Sequence, residues 1–348
     1  MKCSLALCLA FIAPLTFAHG PGKNSDFDGR RVLFIGIDGC RADSIVAAME
    51  RGLAPQLKAL CESPEGLITR TFHAGGEKDS PTHQETSSGP GWSSLLTGVW
   101  INKHHVKDNR FLGARFQTYS HFMRRIKETA PSAWCASFVD WPPIHDFIAD
   151  GSRVAGKEFL DVKFTCAPDG TRHFVDNPER DIEVRDAALK TLRTQDPDAM
   201  FVYFGQVDEI GHGAVDSRAA FTPDSTLYLN AISHVDSHIG ELLRAMRARP
   251  QFAEEDWLIL LTTDHGGRGT SHGGNSDEER NIWLIAHGPD LPKDKLTTTP
   301  MGQDGLVPMI YAHLGITPKP EWNPEPPVEP PPPPVSQTPD PAPAKPNP

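Results

Sequence analysis

The chain of 348 residues carries a formal charge of −11 and 38% hydrophobic residues. That is enough apolar material for one large or two small globular domains, which excludes a short binding module or a wholly disordered protein. The acidic balance argues against nucleic-acid duplex binding, which needs a basic footprint. No apolar run reaches the roughly 18 residues of a membrane span.

Taken in chain order, residues 1–18 combine Lys2, an apolar stretch from Leu5 to Phe17 and a small residue at Ala18. This is the pattern of a secretory signal and implies a periplasmic or extracellular protein. In that setting Cys40, Cys61, Cys135 and Cys166 are permitted, but not required, to form disulfides, and three pairings remain open. No Cys-x-x-Cys pair of the zinc-binding type occurs.

Five short apolar runs are bounded by polar or glycine-rich turns: Arg31–Ile37, Ala133–Val139, Met200–Phe204, Trp257–Leu261 and Ile282–Ala286. Continuous rather than alternating hydrophobicity predicts strands covered on both faces. Between them, Ile232, Val235, Ile239, Leu242, Leu243 and Met246 recur at spacings of three and four, placing one apolar stripe on a helix. Alternation of strands and helices predicts a three-layer α/β/α domain built on a mostly parallel sheet. We expect this domain over 19–317, with loops or a small cap from Trp141 to Arg180. Of residues 318–348, 15 are proline. That tail is expected to be extended polyproline II or disordered, removable after Thr317 without loss of folding, and open to contact with the envelope or other proteins.

Open α/β sheets bind ligands beyond the carboxyl ends of their strands. Three of the predicted strands end there in aspartate: Asp38, Asp208 and Asp264. Asp208 and His212 are four residues apart and share a helical face. His265 follows Asp264 directly where glycines let the chain turn, and His272 lies in the next glycine-rich loop. Asp and His together are the ligand types of Zn²⁺, or of Mn²⁺ where oxygen dominates. Within Thr86–Gly98, Pro90 suits the first turn of a helix, which puts Ser88 at its start, where free N–H groups and the positive dipole end favour an alkoxide and a phosphate.

These residues carry a resemblance. Ile35-Gly-Ile-Asp38-Gly39, Ser88-Gly-Pro-Gly-Trp-Ser-Ser-Leu-Leu-Thr97-Gly98, Asp208-x-x-x-His212 and Thr263-Asp264-His265-Gly266 occur in the order seen in the alkaline phosphatase superfamily. They look most like its type I phosphodiesterase and nucleotide pyrophosphatase branch. The similarity continues through Asn281–Pro289 and Asp304–Pro308 to Ile316, nearly the whole of 30–317.

The resemblance implies two metal ions flanking a phosphate, one held by Asp38, Ser88, Asp264 and His265 and the other by Asp208, His212 and His272. It implies Ser88 as nucleophile and Asn109 as a ligand of a phosphate oxygen, and hence a hydrolase of small phosphate esters. Three ligand aspartates and a serine alkoxide amount to −4, which two divalent cations would offset. The chain departs from the branch in having serine where threonine is usual and in the short spacing between His265 and His272, with His287 as the reserve ligand.

A phosphomonoesterase and a cofactor-independent sugar-phosphate mutase of the same superfamily share these metals. A sulfatase is disfavoured because no Cys-x-Pro-x-Arg motif precedes the helix. From another class, a catalytically inactive envelope-binding protein remains an alternative.

Overall fold

The computed structural model describes residues 26–166, 178–213, 216–289 and 291–323. The proposed signal at 1–18 and the proline-rich segment beyond Asn323 lie outside the described residues.

One sheet of eight strands organises the chain: β1 (Arg30–Ile37), β2 (Gly66–His73), β3 (Cys135–Val139), β4 (Val162–Thr165), β5 (Ala199–Phe204), β6 (Asp256–Thr262), β7 (Asn281–His287) and β8 (Met301–Gly302). Their spatial order is β4-β3-β5-β1-β6-β7-β2-β8. β1 sits between β5 and β6, with Phe34 level with Phe201 and Leu260. Only β7 runs against the others, antiparallel to β6 and to β2. The carboxyl ends of β1, β3, β5 and β6 therefore share one edge, and His287 at the end of β7 lies at the opposite one.

Side chains of β1 alternate between two cores, because successive residues of a strand point to opposite faces. Val32 and Phe34 pack on one side with α3 (Ser88–Thr97), α5 (Phe122–Thr129), α10 (Lys293–Thr298) and α11 (Leu306–Leu314). Leu33, Ile35 and Ile37 pack on the other with α1 (Ala42–Glu50), α2 (Pro55–Glu62), α6 (Pro178–Thr194), α7 (Gln206–Gly211) and α8 (Thr226–Arg247). Two short helices, α4 (Ile101–His104) and α9 (Asp277–Arg280), connect these elements. This is the expected three-layer architecture. The stripe from Ile232 to Met246 is buried along α8, whose first turn is capped by the Ser225 hydroxyl accepting the Tyr228 N–H.

Two boundaries differ from expectation. The stretch expected as loops or a cap contains a π-helical segment, Ile144–Ala149, and then β4, which pairs with β3 and extends the sheet. As an edge strand, β4 is only half-buried, and its composition is accordingly mixed. Residues 167–177 of that stretch are outside the described residues. At the C-terminus, part of the segment assigned to the tail belongs to the domain. Trp322 is buried in the core beside Tyr311, with the Arg125 guanidinium and the Lys319 ammonium 5.4 and 5.6 Å from its ring. Cutting after Thr317 would therefore empty a filled site. Cys40, Cys61, Cys135 and Cys166 are all free thiols. No helix among the described residues is long and apolar enough to cross a membrane.

Candidate metal centre

At the shared strand edge, six of the residues singled out from the sequence meet in two groups. Asp38, Asp264 and His265 form one, fully buried; Asp208, His212 and His272 form the other, partly open to solvent. Within each group the ligand-type atoms lie within 4.8 Å of one another. His265 Nε2 is 3.5 Å from Asp38 Oδ1 and 3.2 Å from Asp264 Oδ2. His212 Nε2 is 3.3 Å from Asp208 Oδ2, and His272 Nε2 is 3.7 Å from Asp208 Oδ1.

The surrounding hydrogen bonds hold these side chains in orientations suited to a cation. Each of the three imidazoles has Nδ1 on a backbone carbonyl: His212 on Thr270 at 2.9 Å, His265 on Gly266 at 2.7 Å and His272 on Thr86 at 3.1 Å. Donation to those carbonyls fixes the tautomer and leaves the Nε2 lone pair facing the cluster. Asp38 is gripped on Oδ2 by Trp92 Nε1 at 2.9 Å and by the Tyr203 hydroxyl at 2.5 Å. Asp264 Oδ1 accepts the Gly39 N–H at 3.2 Å, and the Gln303 side-chain amide donates to the Asp264 carbonyl at 2.7 Å. Gly39 has φ +61°, and a β-carbon there would come within 2.4 Å of Asp208 Oδ1. Glycine is thus required both by the turn and by the close approach.

The free atoms of these groups lack partners. Asp38 Oδ1, Asp208 Oδ1, Asp264 Oδ2 and His265 Nε2 are buried without a hydrogen bond. Native proteins rarely bury such groups unsatisfied, and four of them in one place fit divalent cations. Burial and then the Asp208 charge push Asp38 up to about 7, against the hydrogen bonds from Tyr203 and Trp92. Burial, then Asp38 and Asp208, carry Asp264 well above the usual carboxylate range. At Asp208, burial works in the same direction but is outweighed by the His212 hydrogen bond and by the neighbouring imidazoles, and its pKa falls to about 2. His212 rises to about 9 through that same hydrogen bond, while burial lowers His272 to about 4. The centre is thus crowded with carboxylates that positive charge would stabilise.

Helix α3, which begins at Ser88, is tied to both groups by the residues around that serine. Thr86, two residues before it, holds His272; Gly91 packs against Asp264, where a β-carbon would lie 2.8 Å from the aspartate Cβ; and Trp92 holds Asp38. Ser88 follows the N-cap residue Ser87 and takes the first helical position. Asn109 Oδ1 accepts the Gly89 N–H at 2.7 Å, which brings Asn109 to the start of α3, at the surface. Arg110 next to it is exposed and folds back on Asp108, Nε to Oδ2 at 3.0 Å. His287 stands at the far end of the sheet, 3.9 Å from Glu65, and belongs to neither group.

Sequence reasoning passed over Asp140, a fourth strand-terminal aspartate, although Phe138-Val139-Asp140 has the pattern used for the other three. Tyr203 and Gln303, by contrast, carry no local signal; their polar atoms reach the centre only through the fold.

The sequence model of the type I phosphodiesterase / nucleotide pyrophosphatase family matches residues 32–284. The chain belongs to this family. The matched region contains Ser88, Asn109 and every residue of the two groups, and membership makes the protein a phosphoric ester hydrolase of the alkaline phosphatase superfamily. Among solved structures, a 2-O GAG sulfatase superposes with a TM-score of 0.61 at 14% identity, covering 85% of this chain and 72% of its own. The zinc complex of the C-terminal periplasmic domain of EptC from Escherichia coli gives 0.59 at 12% identity, covering 85% and 84%. A phosphonate monoester hydrolase from Silicibacter pomeroyi gives 0.57 at 17% identity, covering 82% and 73%. At these identities the likeness is one of fold. No curated protein sequence matches the chain.

Proposed function

We propose that this family member is an exported phosphodiesterase that uses Ser88 as nucleophile and two divalent cations, zinc in the first place and manganese in the second. Asp38, Asp264 and His265, with Ser88, would hold one cation, and Asp208, His212 and His272 the other. The observation that carries the reading is the set of four buried, partnerless ligand atoms spread over the two groups. Export rests on the signal pattern of residues 1–18.

Bound there, the cations would supply Lewis acidity and charge neutralisation at the phosphate. The chain's own residues do the rest. Ser88, at the first helical position of α3, presents its hydroxyl where the helix dipole favours the alkoxide and the incoming phosphoryl group. In-line attack forms the Ser88 Oγ–phosphorus bond and breaks the ester bond opposite; the serine proton passes to solvent and the departing alkoxide takes one up. Water then cleaves the Oγ–phosphorus bond of the serine-linked phosphate ester, releasing the phosphate monoester and restoring the hydroxyl. Asn109, with its carbonyl committed to Gly89, has its amide N–H groups to offer a non-bridging oxygen.

A preference for diesters follows from what stands beside Asn109. A dianionic monoester rewards an added cation, but the Arg110 guanidinium is spent on Asp108, and Asn109 itself is neutral. Comparing bis(p-nitrophenyl) phosphate with p-nitrophenyl phosphate on one preparation tests this. The diester is expected to give the higher kcat/KM, and chelation should abolish both activities. A monoester preference of tenfold, about 1.4 kcal/mol, transfers the assignment to a phosphomonoesterase. Full activity after exhaustive chelation, with no metal by elemental analysis, removes the two-cation centre.

A further inference from the structure

The two groups of ligands are supported differently. Asp38 is held by Trp92 and Tyr203, and Asp264 by the Gly39 N–H, so donors fix these carboxylates directly. Among the described residues, no donor other than the ligand-type His212 reaches the Asp208 carboxylate, and its Oδ1 has no partner. The position of Asp208 is therefore set by the six-residue helix α7 that carries it, and so is the start of the turn that delivers His212. So short a helix has little stability of its own and depends on tertiary contacts.

Val207 and Ile210 anchor its apolar side in the core, and its polar support comes from two consecutive residues of α6. Asp181 Oδ1 accepts the N–H of Gly205, the residue leading into α7, at 3.1 Å. Arg180 Nη1 donates to Glu209 Oε1 at 2.8 Å, one residue beyond Asp208. The other arm of the same guanidinium donates to the Asp140 carbonyl at 2.8 Å and lies 3.2 Å from Asp140 Oδ2. Arg180 thereby ties the end of β3 to α7, and Asp181 next to it ties down the end of β5. The fit is tight: a β-carbon on Gly205 would lie 2.7 Å from Asp140 Oδ1. Asp140 and Asp181 are buried to 1% exposure, so this clasp works where hydrogen bonds to charged groups are strong and their loss is costly.

We propose that Arg180 and Asp181 are positioning residues for the cation site formed by Asp208, His212 and His272: they hold α7 in register with His272, and the Asp38, Asp264 and His265 site does not depend on them. The proposal rests on the two-cation reading given above. It predicts a separable loss, because supporting residues around a ligand set typically account for about ten- to hundredfold in metal affinity.

The test is Zn²⁺ titration of the metal-stripped full chain against a competing chromophoric chelator, with far-UV circular dichroism and the thermal midpoint recorded on the same stripped samples. The wild-type protein should take up two equivalents. Arg180→Gln, Asp181→Asn and Glu209→Gln should each keep one equivalent at wild-type affinity and bind the second ten- to hundredfold more weakly, with the stripped protein still folded. Arg180→Lys, which can still reach Glu209, should recover part of the loss. If Asp181→Asn does not fold, Glu209→Gln, which breaks only a partly exposed ion pair, decides alone. Two wild-type equivalents in every folded variant, or equal weakening of both, overturns the positioning role. A wild-type protein that binds fewer than two equivalents instead overturns the two-cation reading itself, and the positioning proposal falls with it.

Discussion

The imidazoles of His265 and His272 stack with their centroids 3.8 Å apart and 24° between the ring planes. Each belongs to a different ligand group, so the stack is the common wall of the two groups. Two imidazolium ions at that separation would repel, and burial keeps both rings below their ordinary basicity. Neutral rings with Nδ1 tied to carbonyls are in the form that ligates a metal. The contact also explains how His272, only seven residues past His265, serves a second group: the glycine-rich loop between them doubles back.

Replacing Ser88 by alanine should lower turnover by several orders of magnitude, because it removes the proposed nucleophile at the start of α3. Ser87→Ala should be mild, since its buried hydroxyl makes no hydrogen bond and does not cap the helix. Steady-state kinetics of the two variants on one diester settle the assignment. An active Ser88→Ala enzyme would move the nucleophile elsewhere.

Tyr203→Phe removes one of two donors that hold Asp38 while leaving the ring packed at 5.1 Å against Trp92. Zinc affinity at the Asp38 site is expected to fall by about tenfold or more, with little change in thermal stability. Competition titration measures the first quantity and calorimetry the second. An unchanged affinity would mean that Trp92 alone suffices to orient the carboxylate.

Acid sensitivity should be traceable to buried histidines. His121 caps α5 by accepting the Met123 N–H on Nδ1 at 3.2 Å, and burial lowers its pKa to about 3. In the unfolded chain its pKa is about 6.5. The unfolded state therefore binds the extra proton between those values, and His121 costs stability as pH falls below about 6.5, at about 1.4 kcal/mol per pH unit. His121→Asn keeps an acceptor at the cap but cannot titrate. The stability gap between wild type and variant, from urea midpoints at pH 7.5, 6.5 and 5.5, should narrow only below pH 6.5. A gap that stays constant across that range would contradict the assignment.

Cutting the chain after Thr317 should cost about 3 kcal/mol relative to cutting after Asn323, the lower end of the range for losing a buried tryptophan. The difference isolates Trp322 in its place beside Tyr311 and Arg125. Thermal or urea unfolding of the two truncations measures it. Equal stabilities would show that Trp322 contributes nothing to the domain.

The strands at the centre of the sheet were legible in the sequence because both of their faces are covered, which demands unbroken apolar runs. β2 and β4 were not. β2 is interrupted by a register shift between Thr69 and Phe72 and turns Arg70 outward, and β4 is a half-buried edge. The ligand-type residues were legible as well, since aspartates just past apolar strands and histidines in glycine-rich turns are local patterns. Their partition into two groups was not local. His272 rather than His287 joins the centre because β7 runs antiparallel, which carries His287 to the opposite edge of the sheet. Asp140, Arg180 and Asp181 become a clasp only when β3, β5 and α6 are brought together. The sequence by itself determined the layer architecture and the kinds of atoms available for chemistry, because hydrophobic period and residue type act over a few positions. The tertiary structure alone decided which of those atoms face one another and which supports hold them, because distances between residues far apart in the chain depend on strand order and direction.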